Sequence, residues 1–251
     1  MRPRVIRYSE RPELWDSISD LSDEVWPEYN KHGDTLNRYW GDLYDCFPDW
    51  QFVLYDPGEH TVLAEGNTIP MAWDGADAGL GPGIDATIVA GFELQAAGGQ
   101  PNAASALAAK IPPRHQGKHL SEVVLRAMSD LARDAGLKHL VAPVRPSFKE
   151  RYPTIPIERY ASWTRQDGSP FDPWVRVHTR MGARIGPVIP HSLHITGTVG
   201  EWESWTDMAF PETSDYVFPA GLATVHIDRD ADIGEYWEPN IWIIHPPNDA
   251  A

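Results

Sequence analysis

The chain has 251 residues and carries 36 acidic against 21 basic side chains, a formal net charge of −15. A surface this acidic repels nucleic-acid phosphate and anionic lipid, because binding to either requires Lys and Arg side chains that neutralise phosphate. We therefore expect no nucleic acid and no membrane among its partners. The single cysteine excludes an internal disulfide, and no Cys and His cluster has the spacing of a zinc site, so we also expect no metal.

Length and composition also bear on the compartment and on the number of domains. The first residues lack the apolar core of a signal peptide, and one cysteine suits a reducing compartment, so we expect a cytoplasmic protein. The contents of 42% hydrophobic and 23% charged residues are typical of globular chains. No internal repeat or low-complexity linker divides the sequence, which favours a single domain over residues 1–251.

The N-terminal part of the chain is predicted to form a strand, two helices, a hairpin and a third helix. Apolar residues recur at helical spacing after Pro12 and again before Pro48. A turn at 56–58 joins two runs of β-forming residues. The predicted elements are a strand at 2–8, helices at 12–25 and 36–47, strands at 51–55 and 61–73, and a helix at 84–97.

The most regular helix of the sequence lies between two apolar runs. Leu120, Val124 and Met128 fall on one helix face, and Gly136 stands where a helix-ending glycine belongs. The runs at 104–111 and 137–144 flank this helix and are predicted to be buried strands. A strand, helix and strand in this order connect two parallel or nearly parallel strands of one sheet.

The C-terminal part is predicted to be irregular at first and then rich in strands. Residues 145–172 form a proline-rich loop that ends at Asp172, the expected N-cap of a short helix from Pro173 to Met181. The β-rich part covers residues 185–251, with β-type runs at 193–199, 222–228 and 240–245.

Charge is distributed unevenly along the chain. Residues 110–151 contain nine basic and four acidic side chains, a net charge of +5, and the remainder of the chain carries −20. Lys110, Arg114 and Lys118 cluster where the predicted strand turns into the predicted helix. A helix N-terminus presents unpaired N–H groups and the positive end of the helix dipole, so a basic loop there favours an anion. A phosphorylated cofactor is one interpretation, and solvation of the loop by its charged side chains is the other.

The loop at 111–121 resembles the acyl-CoA-binding motif of the GNAT superfamily of N-acyltransferases, which reads Q/R-x-x-G-x-G/A. Gln116 matches the first position, whereas His119 stands at the usual central Gly and Ser121 at the usual Gly or Ala. The order of predicted elements over residues 2–185 is similar to that of the family. The resemblance implies a mixed-sheet α/β fold of the GNAT type with splayed central strands, an inserted loop after Val144 and an elaborated C-terminal part.

The resemblance also implies acetyl-CoA or another acyl-CoA as the donor, because backbone N–H groups of this loop hold the cofactor pyrophosphate in the family. With His119 in place of the central Gly, the loop either adds an imidazole to the phosphate site or narrows it. The residues expected to bind the cofactor are Lys110, Ile111, Arg114, Gln116, Gly117, Lys118, His119, Leu120 and Ser121.

Acyl transfer from a thioester requires a neutral amine, a hydrogen-bond donor for the oxyanion and a proton for the departing thiolate. The resemblance puts His178, four residues before Gly182, at the position of the family's thiol-protonating Tyr, and a core histidine is the alternative. The strand at 104–111 lacks the acid that often serves as the base in the family. Glu238, at the start of a late β run, is the candidate base, and an exposed strand-end carboxylate is the alternative.

The loop at 145–172 follows the strand that borders the acyl group in the family, so we expect this loop to cover the acceptor site. Basic side chains would bind an acceptor carboxylate, and aromatic rings would enclose its apolar part. The alternative is that the rings only anchor the loop to the body of the protein. The expected substrate-binding residues are Arg145, Lys149, Tyr160, Trp163 and Trp174.

Three hypotheses for the function are consistent with these patterns. The first is an enzyme that transfers an acyl group from acyl-CoA to the amine of a small-molecule acceptor. The second is a non-catalytic GNAT-like module that binds CoA or another anion. The third is an acyltransferase whose donor is an acyl carrier protein, because an acidic carrier would pair with the basic segment 110–151.

Overall fold

The computed structural model describes residues 3–247, in which one mixed sheet is the central feature. Its strands are β1 (Arg4–Arg7), β2 (Gln51–Asp56), β3 (Thr61–Met71), β4 (Ala103–Lys110), β5 (His139–Val144), β6 (Arg184–Gly197), β7 (Ser214–Tyr216), β8 (Val225–Asp228) and β9 (Ile233–Ile244). The strand order is β1-β2-β3-β4-β5-β9-β8-β7, with β6 also paired to β9. The β4 and β5 pair is parallel, and the other pairs are antiparallel.

Helices cover the sheet and extend its N-terminal edge. The α-helices are α1 (Leu21–Val25), α2 (Leu36–Trp40), α3 (Asp42–Cys46), α4 (Ile84–Ala96), α5 (Leu120–Asp134), α6 (Ile157–Ala161), α7 (Pro173–Arg180) and α8 (Val199–Thr206). Short 3₁₀ turns link several of these helices to the strands.

The two N-terminal helices are less regular than their periodicity predicts. The first is a 3₁₀ turn at Pro12–Ile18 followed by α1, and the second breaks at Gly41 into α2 and α3. The apolar positions themselves are buried or half-buried, as the pattern predicts; Leu14 and Leu21 are buried examples. Such short helices depend on tertiary packing, because few intrahelical hydrogen bonds offset the cost of nucleation. Periodicity therefore predicts the buried positions here better than the helix bounds.

The predicted strand, helix and strand unit is confirmed as β4, α5 and β5. Helix α5 ends as expected at Gly136, which has a φ of 74° and donates its N–H to the Arg133 carbonyl at 2.8 Å. The two strands pair only where 103–105 meets 139–141, and they diverge beyond this point. A gap therefore opens in the middle of the sheet.

Side chains of β4 alternate between the two faces of the sheet. Ala104 and Ala106 join the core beneath α5, whereas Leu107 joins the core on the opposite side, beneath α2 and α4. Helices thus bury both faces around the gap.

The C-terminal part is rich in strands, as predicted, and adds two helices outside the predicted elements, α6 within the 145–172 loop and α8. Helix α8 begins with a capping box, in which the Thr198 hydroxyl accepts the Glu201 N–H and the Glu201 carboxylate accepts the Thr198 N–H. Strand β9 is its central element, because it pairs with β5, β6 and β8. Across residues 3–247, no helix has the length and apolar character needed to span a membrane.

Candidate active site

A cleft of about 670 Å³ occupies the gap between β4 and β5. Residues 106–109 of β4 form one wall and residues 142–144 of β5 form the other. At one end the cleft reaches the N-terminus of α5, and it is also lined by α7 and by Glu238 and Asn240 of β9. The sheet therefore brings together chain segments that are far apart in the sequence.

The α5 end of the cleft provides unpaired backbone N–H groups. No side chain caps this helix, and its N-cap residue His119 adopts the left-handed conformation with a φ of 58°. Gly117 also has a positive φ, of 77°. A left-handed N-cap explains why glycine suits the central position of the motif, since residues with a Cβ adopt this conformation at a cost.

Most of the predicted cofactor-binding residues line the cleft, but their basic side chains do not. Arg114 forms an exposed ion pair with Glu24, and the Lys118 ammonium lies 3.1 Å from Nδ1 of His115. Neither Arg114 nor Lys118 lines the cleft. Those that line it are Ile111, Gln116, Gly117, His119, Leu120 and Ser121.

His115, which the sequence analysis does not select, also lines the cleft beside this loop. Its Nδ1 must accept the hydrogen bond from Lys118, because an ammonium can only donate, so Nε2 carries the ring proton. This Nε2 atom is buried and has no partner among the described residues. Burial, Lys118 and Arg114 together lower the pKa of His115. A neutral imidazole thus presents a free N–H donor next to the α5 N-terminus.

The prediction that the Lys110 side chain binds the cofactor is wrong. Its ammonium lies 2.7 Å from Oε2 of Glu65, and each side chain is only 3% exposed. The ammonium also contacts the Ser22 hydroxyl at 3.4 Å and lies over the Trp40 ring. Burial alone would raise the pKa of the Glu65 carboxyl, but Lys110 lowers it. Lys110 therefore neutralises a buried acid instead of reaching the cleft.

His178 lines the cleft from α7 and is 1% exposed. Asp172 caps α7 as predicted, since its carboxylate accepts the N–H groups of Trp174 and Val175. Nδ1 of His178 lies 2.9 Å from Nε2 of His245, whereas Nε2 of His178 is buried without a hydrogen-bond partner in the described chain. Burial lowers the pKa of His178 well below its usual value, and His245 lowers it further. The ring is therefore neutral at pH 7.

Glu238 lies at the wall of the cleft that β9 forms, and it is not the exposed carboxylate of the alternative interpretation. Its Oε2 accepts hydrogen bonds from Asn30 at 3.1 Å and from Tyr29 and Tyr236 at 3.4 Å. Nε of Arg145 lies 3.0 Å from the same oxygen. Oε1 accepts no hydrogen bond from residues 3–247. One carboxylate oxygen thus remains available to a ligand.

Arg145 lines the cleft, but its guanidinium is already engaged. Besides Glu238, it bonds the Tyr29 hydroxyl at 3.0 Å and the Ala220 carbonyl at 2.8 Å, both through Nη2. Burial would lower the pKa of Arg145, but Glu238 and Tyr29 raise it above its usual value. The guanidinium is therefore a fixed charge that holds Glu238 in place, and its Nη1 makes no hydrogen bond in the described chain.

The prediction that the 145–172 loop covers the acceptor site is wrong for most of its residues. Lys149 is 1% exposed and donates to the carbonyls of Tyr152 and Leu222, and burial lowers its pKa to about 8. The Tyr160 hydroxyl donates to Asp172 at 2.8 Å. Trp163 packs on the rings of Tyr152 and Tyr160. Lys149, Tyr160 and Trp163 do not line the cleft, so they anchor the loop instead.

Trp174 is the aromatic residue of the predicted set that lines the cleft, where its ring packs edge-on against His178. The opposite wall, which no sequence pattern indicates, comes from the N-terminal helices and their linkers. Their apolar periodicity indicates packing but gives no sign that one edge faces a ligand. The missed residues that line the cleft include Trp26, Asn30, Asn37, Trp40, His115 and Asn240.

No protein-family model matches the chain. The chain resembles two solved structures along nearly their whole lengths: the loading GNATL domain of CurA from Lyngbya majuscula and the GphF GNAT-like decarboxylase in complex with isobutyryl-CoA. The CurA domain has a TM-score of 0.60 and 15% identity, and the match covers 97% of this chain and 96% of that domain. The GphF structure has a TM-score of 0.58 and 18% identity, and the match covers 97% of this chain and 98% of that chain. The chain has the GNAT fold.

The same conclusion follows from sequence similarity. The arginine N-acetyltransferase AvaD of Aspergillus versicolor is 28% identical over 265 residues, which cover 94% of this chain and 91% of that protein. The predicted mixed α/β fold of GNAT type is therefore confirmed. Within the GNAT fold of this chain, the divergence of β4 and β5 is the expected splay. No group of three or more His, Cys, Asp or Glu side chains within residues 3–247 could hold a metal ion.

Proposed function

We propose that the protein transfers an acetyl or other acyl group from acyl-CoA to the amine of a small-molecule acceptor. The observation that carries this proposal is the continuity of the cleft, which joins the uncapped α5 N-terminus to His178 and Glu238. A thioester donor needs an anion site for its phosphates and, within reach of its acyl carbon, groups that manage protons. One cleft offers both, and similarity to an arginine N-acetyltransferase supports the same reaction.

The residues at the α5 end fit the phosphates of acyl-CoA. Backbone N–H groups of 117–121 and the unpartnered Nε2–H of His115 are donors for phosphate oxygens. Lys118 adds a positive charge at the rim. Bound acyl-CoA supplies an activated thioester, and the isobutyryl-CoA complex of the GphF neighbour supports an acyl-CoA in a cleft of this fold. The acyl group would lie between β4 and β5.

The residues at the other end fit a cationic amine. The free Oε1 of Glu238 would bind this amine, accept the proton that it must lose before it attacks, and orient the neutral amine toward the thioester. The unpartnered Nε2 of His178 would accept a proton as the amine attacks and return it to the departing thiolate. Because the relative AvaD is an arginine N-acetyltransferase, arginine is the first acceptor to test.

Two measurements test the proposal, first the binding of acyl-CoA and then the transfer of its acyl group. Calorimetry and thermal shift with acetyl-CoA, longer acyl-CoAs and free CoA should give stabilisation, about 2.7 kcal/mol at a ligand concentration of one hundred times Kd. Thiol release with arginine and a panel of other amines then measures transfer. No stabilisation at millimolar CoA would contradict the proposal.

The same assays separate the alternatives. Binding of CoA without thiol release for any amine would indicate a non-catalytic module. Transfer only from an acylated carrier protein would indicate a carrier donor. Release of carbon dioxide from a carboxylated acyl-CoA without an amine would indicate a reaction like that of the GNAT-like decarboxylase GphF.

A further inference from the structure

Two buried imidazoles, His178 on α7 and His245 just after β9, form a pair at the wall of the cleft. Nδ1 of His178 and Nε2 of His245 are 2.9 Å apart, and the residues are 1% and 3% exposed. The backbone N–H of His245 donates to the Leu140 carbonyl of β5 at 2.9 Å. The backbone of His245 is therefore anchored to the strand that forms the cleft wall.

A single hydrogen must lie between the two rings. His178 contacts Trp174 from its own helix and His245 from the sheet, and it forms no ion pair within residues 3–247. Burial lowers the pKa of His245 to about 4 and that of His178 well below its usual value. Both rings are therefore neutral at pH 7, and one of the facing nitrogens donates while the other accepts.

The free Nε2 of His178 decides between the two arrangements. Unpartnered N–H groups are rarer than unpartnered acceptors in protein interiors, as the backbone shows. An arrangement in which Nδ1 of His178 carries the hydrogen leaves Nε2 as a free acceptor rather than a free donor. This arrangement is favoured, because a buried acceptor without a partner costs less free energy than a buried N–H group without a partner.

We infer that His245 is a positioning residue, which accepts the Nδ1–H of His178 and so presents Nε2 of His178 to the cleft as a proton acceptor. The inference rests on the proposed acyl transfer. Of the pair, only His178 lines the cleft. His245 acts through the hydrogen bond and through its anchorage to β5.

The proton balance of the reaction is complete with these two rings. When the nitrogen of the neutral amine bonds to the thioester carbon, its N–H proton moves to Nε2 of His178, and the Nδ1 proton moves to Nε2 of His245. The C–S bond breaks as the tetrahedral intermediate collapses, and its electron pair remains on sulfur. The Nε2 proton of His178 then moves to the thiolate, and the proton on Nε2 of His245 returns to Nδ1. Amide and free CoA thiol leave, and both rings are neutral again.

The test combines nitrogen NMR with steady-state kinetics on the full chain. In ¹⁵N-histidine-labelled protein, with His178→Gln used for assignment, we expect the Nδ1–H tautomer of His178 to dominate. His245→Phe keeps an aromatic ring but removes the acceptor, and should lower kcat at least tenfold while KM for acyl-CoA stays within twofold. His245→Gln keeps an acceptor and should recover part of the loss. His139→Phe, at a histidine outside the cleft, is the matched control.

Two outcomes would overturn the inference. One is a wild-type spectrum in which the Nε2–H tautomer of His178 dominates, and this readout needs no activity and only a folded His178→Gln variant for assignment. The other is a wild-type kcat in His245→Phe. A variant that merely loosens the fold would lower Tm and raise both KM values without changing the tautomer of His178. Failure of wild-type acyl transfer would contradict the proposed function but would leave the tautomer measurement interpretable.

Discussion

Nε of Arg145 donates a hydrogen bond to Oε2 of Glu238 at 3.0 Å across 93 residues of sequence. Both groups lie at the cleft, where Arg145 is 17% and Glu238 is 3% exposed. Removing one partner of a buried pair leaves the other charge without compensation, which costs more than the pair itself contributes. The pair would therefore couple the proposed binding of an acceptor to the stability of this wall.

Replacing Glu238 with Gln tests this coupling. Gln keeps hydrogen-bonding atoms but removes the charge that faces a cationic amine, so kcat/KM for the acceptor should fall at least tenfold. The affinity for acyl-CoA should stay within twofold, and the free energy of unfolding should fall by about 1–3 kcal/mol. Glu235→Gln, at an exposed carboxylate on the same strand, is the control. Equal kinetics for the two variants would remove Glu238 from acceptor binding.

His178→Ala separates chemistry from donor binding. The loss of a positioned proton carrier should reduce kcat by about 10²–10⁴-fold, while the Kd for acyl-CoA measured by calorimetry stays within threefold. Activity of this variant at the wild-type level would show that His178 is structural.

Lys118→Glu tests the charge at the α5 end. The reversal places a carboxylate beside the proposed phosphate site and should weaken acyl-CoA binding about tenfold or more at low salt, with a smaller effect at high salt. Lys138→Glu makes the same charge change beyond the other end of α5 and should have little effect. Similar losses for both variants would point to net charge rather than a local contact.

His119→Gly tests the strain of the left-handed N-cap. Glycine adopts the φ of 58° without a Cβ clash, so the free energy of unfolding should rise by about 1 kcal/mol in urea titrations. His60→Gly, in a hairpin turn with a φ of 51°, should give a comparable gain. Only the His119 variant should also change acyl-CoA affinity. An effect on affinity from both variants would contradict a local role of this loop.

Lys110→Met tests the buried ion pair with Glu65. Removing the cation should lower the free energy of unfolding by about 3–5 kcal/mol at pH 7. Because Lys110 lowers the pKa of the Glu65 carboxyl, the wild-type contribution is complete above the unfolded pKa of about 4.3 and is lost as pH falls through the lower folded value.

The variant should behave in the opposite way. Buried without a cation, Glu65 would have a raised pKa and would bind a proton in the folded state, so lowering the pH should stabilise the variant. The difference between the two proteins, measured by urea denaturation, should therefore shrink from pH 7 to pH 4.5. Arg133→Met, which breaks an exposed pair with Asp130, should cost about 0.5 kcal/mol or less. A constant difference across this range would contradict a charged pair.

The central unit of the fold was predictable because its signals are local. The face of α5, the turn at Gly136 and the flanking strands each depend on residues close in sequence. The N-terminal helices have the same apolar periodicity but are interrupted, the second of them at Gly41, because such short helices depend on tertiary packing rather than on their own hydrogen bonds. Periodicity identifies buried positions in both cases and regular geometry only in the first.

Site residues were predictable where the local backbone geometry places them at the cleft. They were less predictable where a side chain pairs with a residue distant in sequence. The α5 loop lies at the cleft because a strand and a helix meet there. The sequence alone gives no sign that Lys110 and Lys149 are already paired. In the structure, Lys110 pairs with Glu65, and Lys149 donates to the carbonyl of Leu222, and both partners are distant in sequence. His245 carries no local signal, because its partner His178 is 67 residues away.

The short parallel ladder at 103–105 and 139–141 divides the sheet into two halves, β1 to β4 and β5 to β9. Within the described chain, these six residues are the direct strand pairing between the halves. A molecule seated in the gap touches both halves at once, so its binding energy adds to their cohesion. A bound substrate would then bridge the two halves of the sheet. Backbone amide hydrogen exchange should therefore slow in the strands on either side of the cleft. Binding in the cleft and stiffening of the sheet would then be one event.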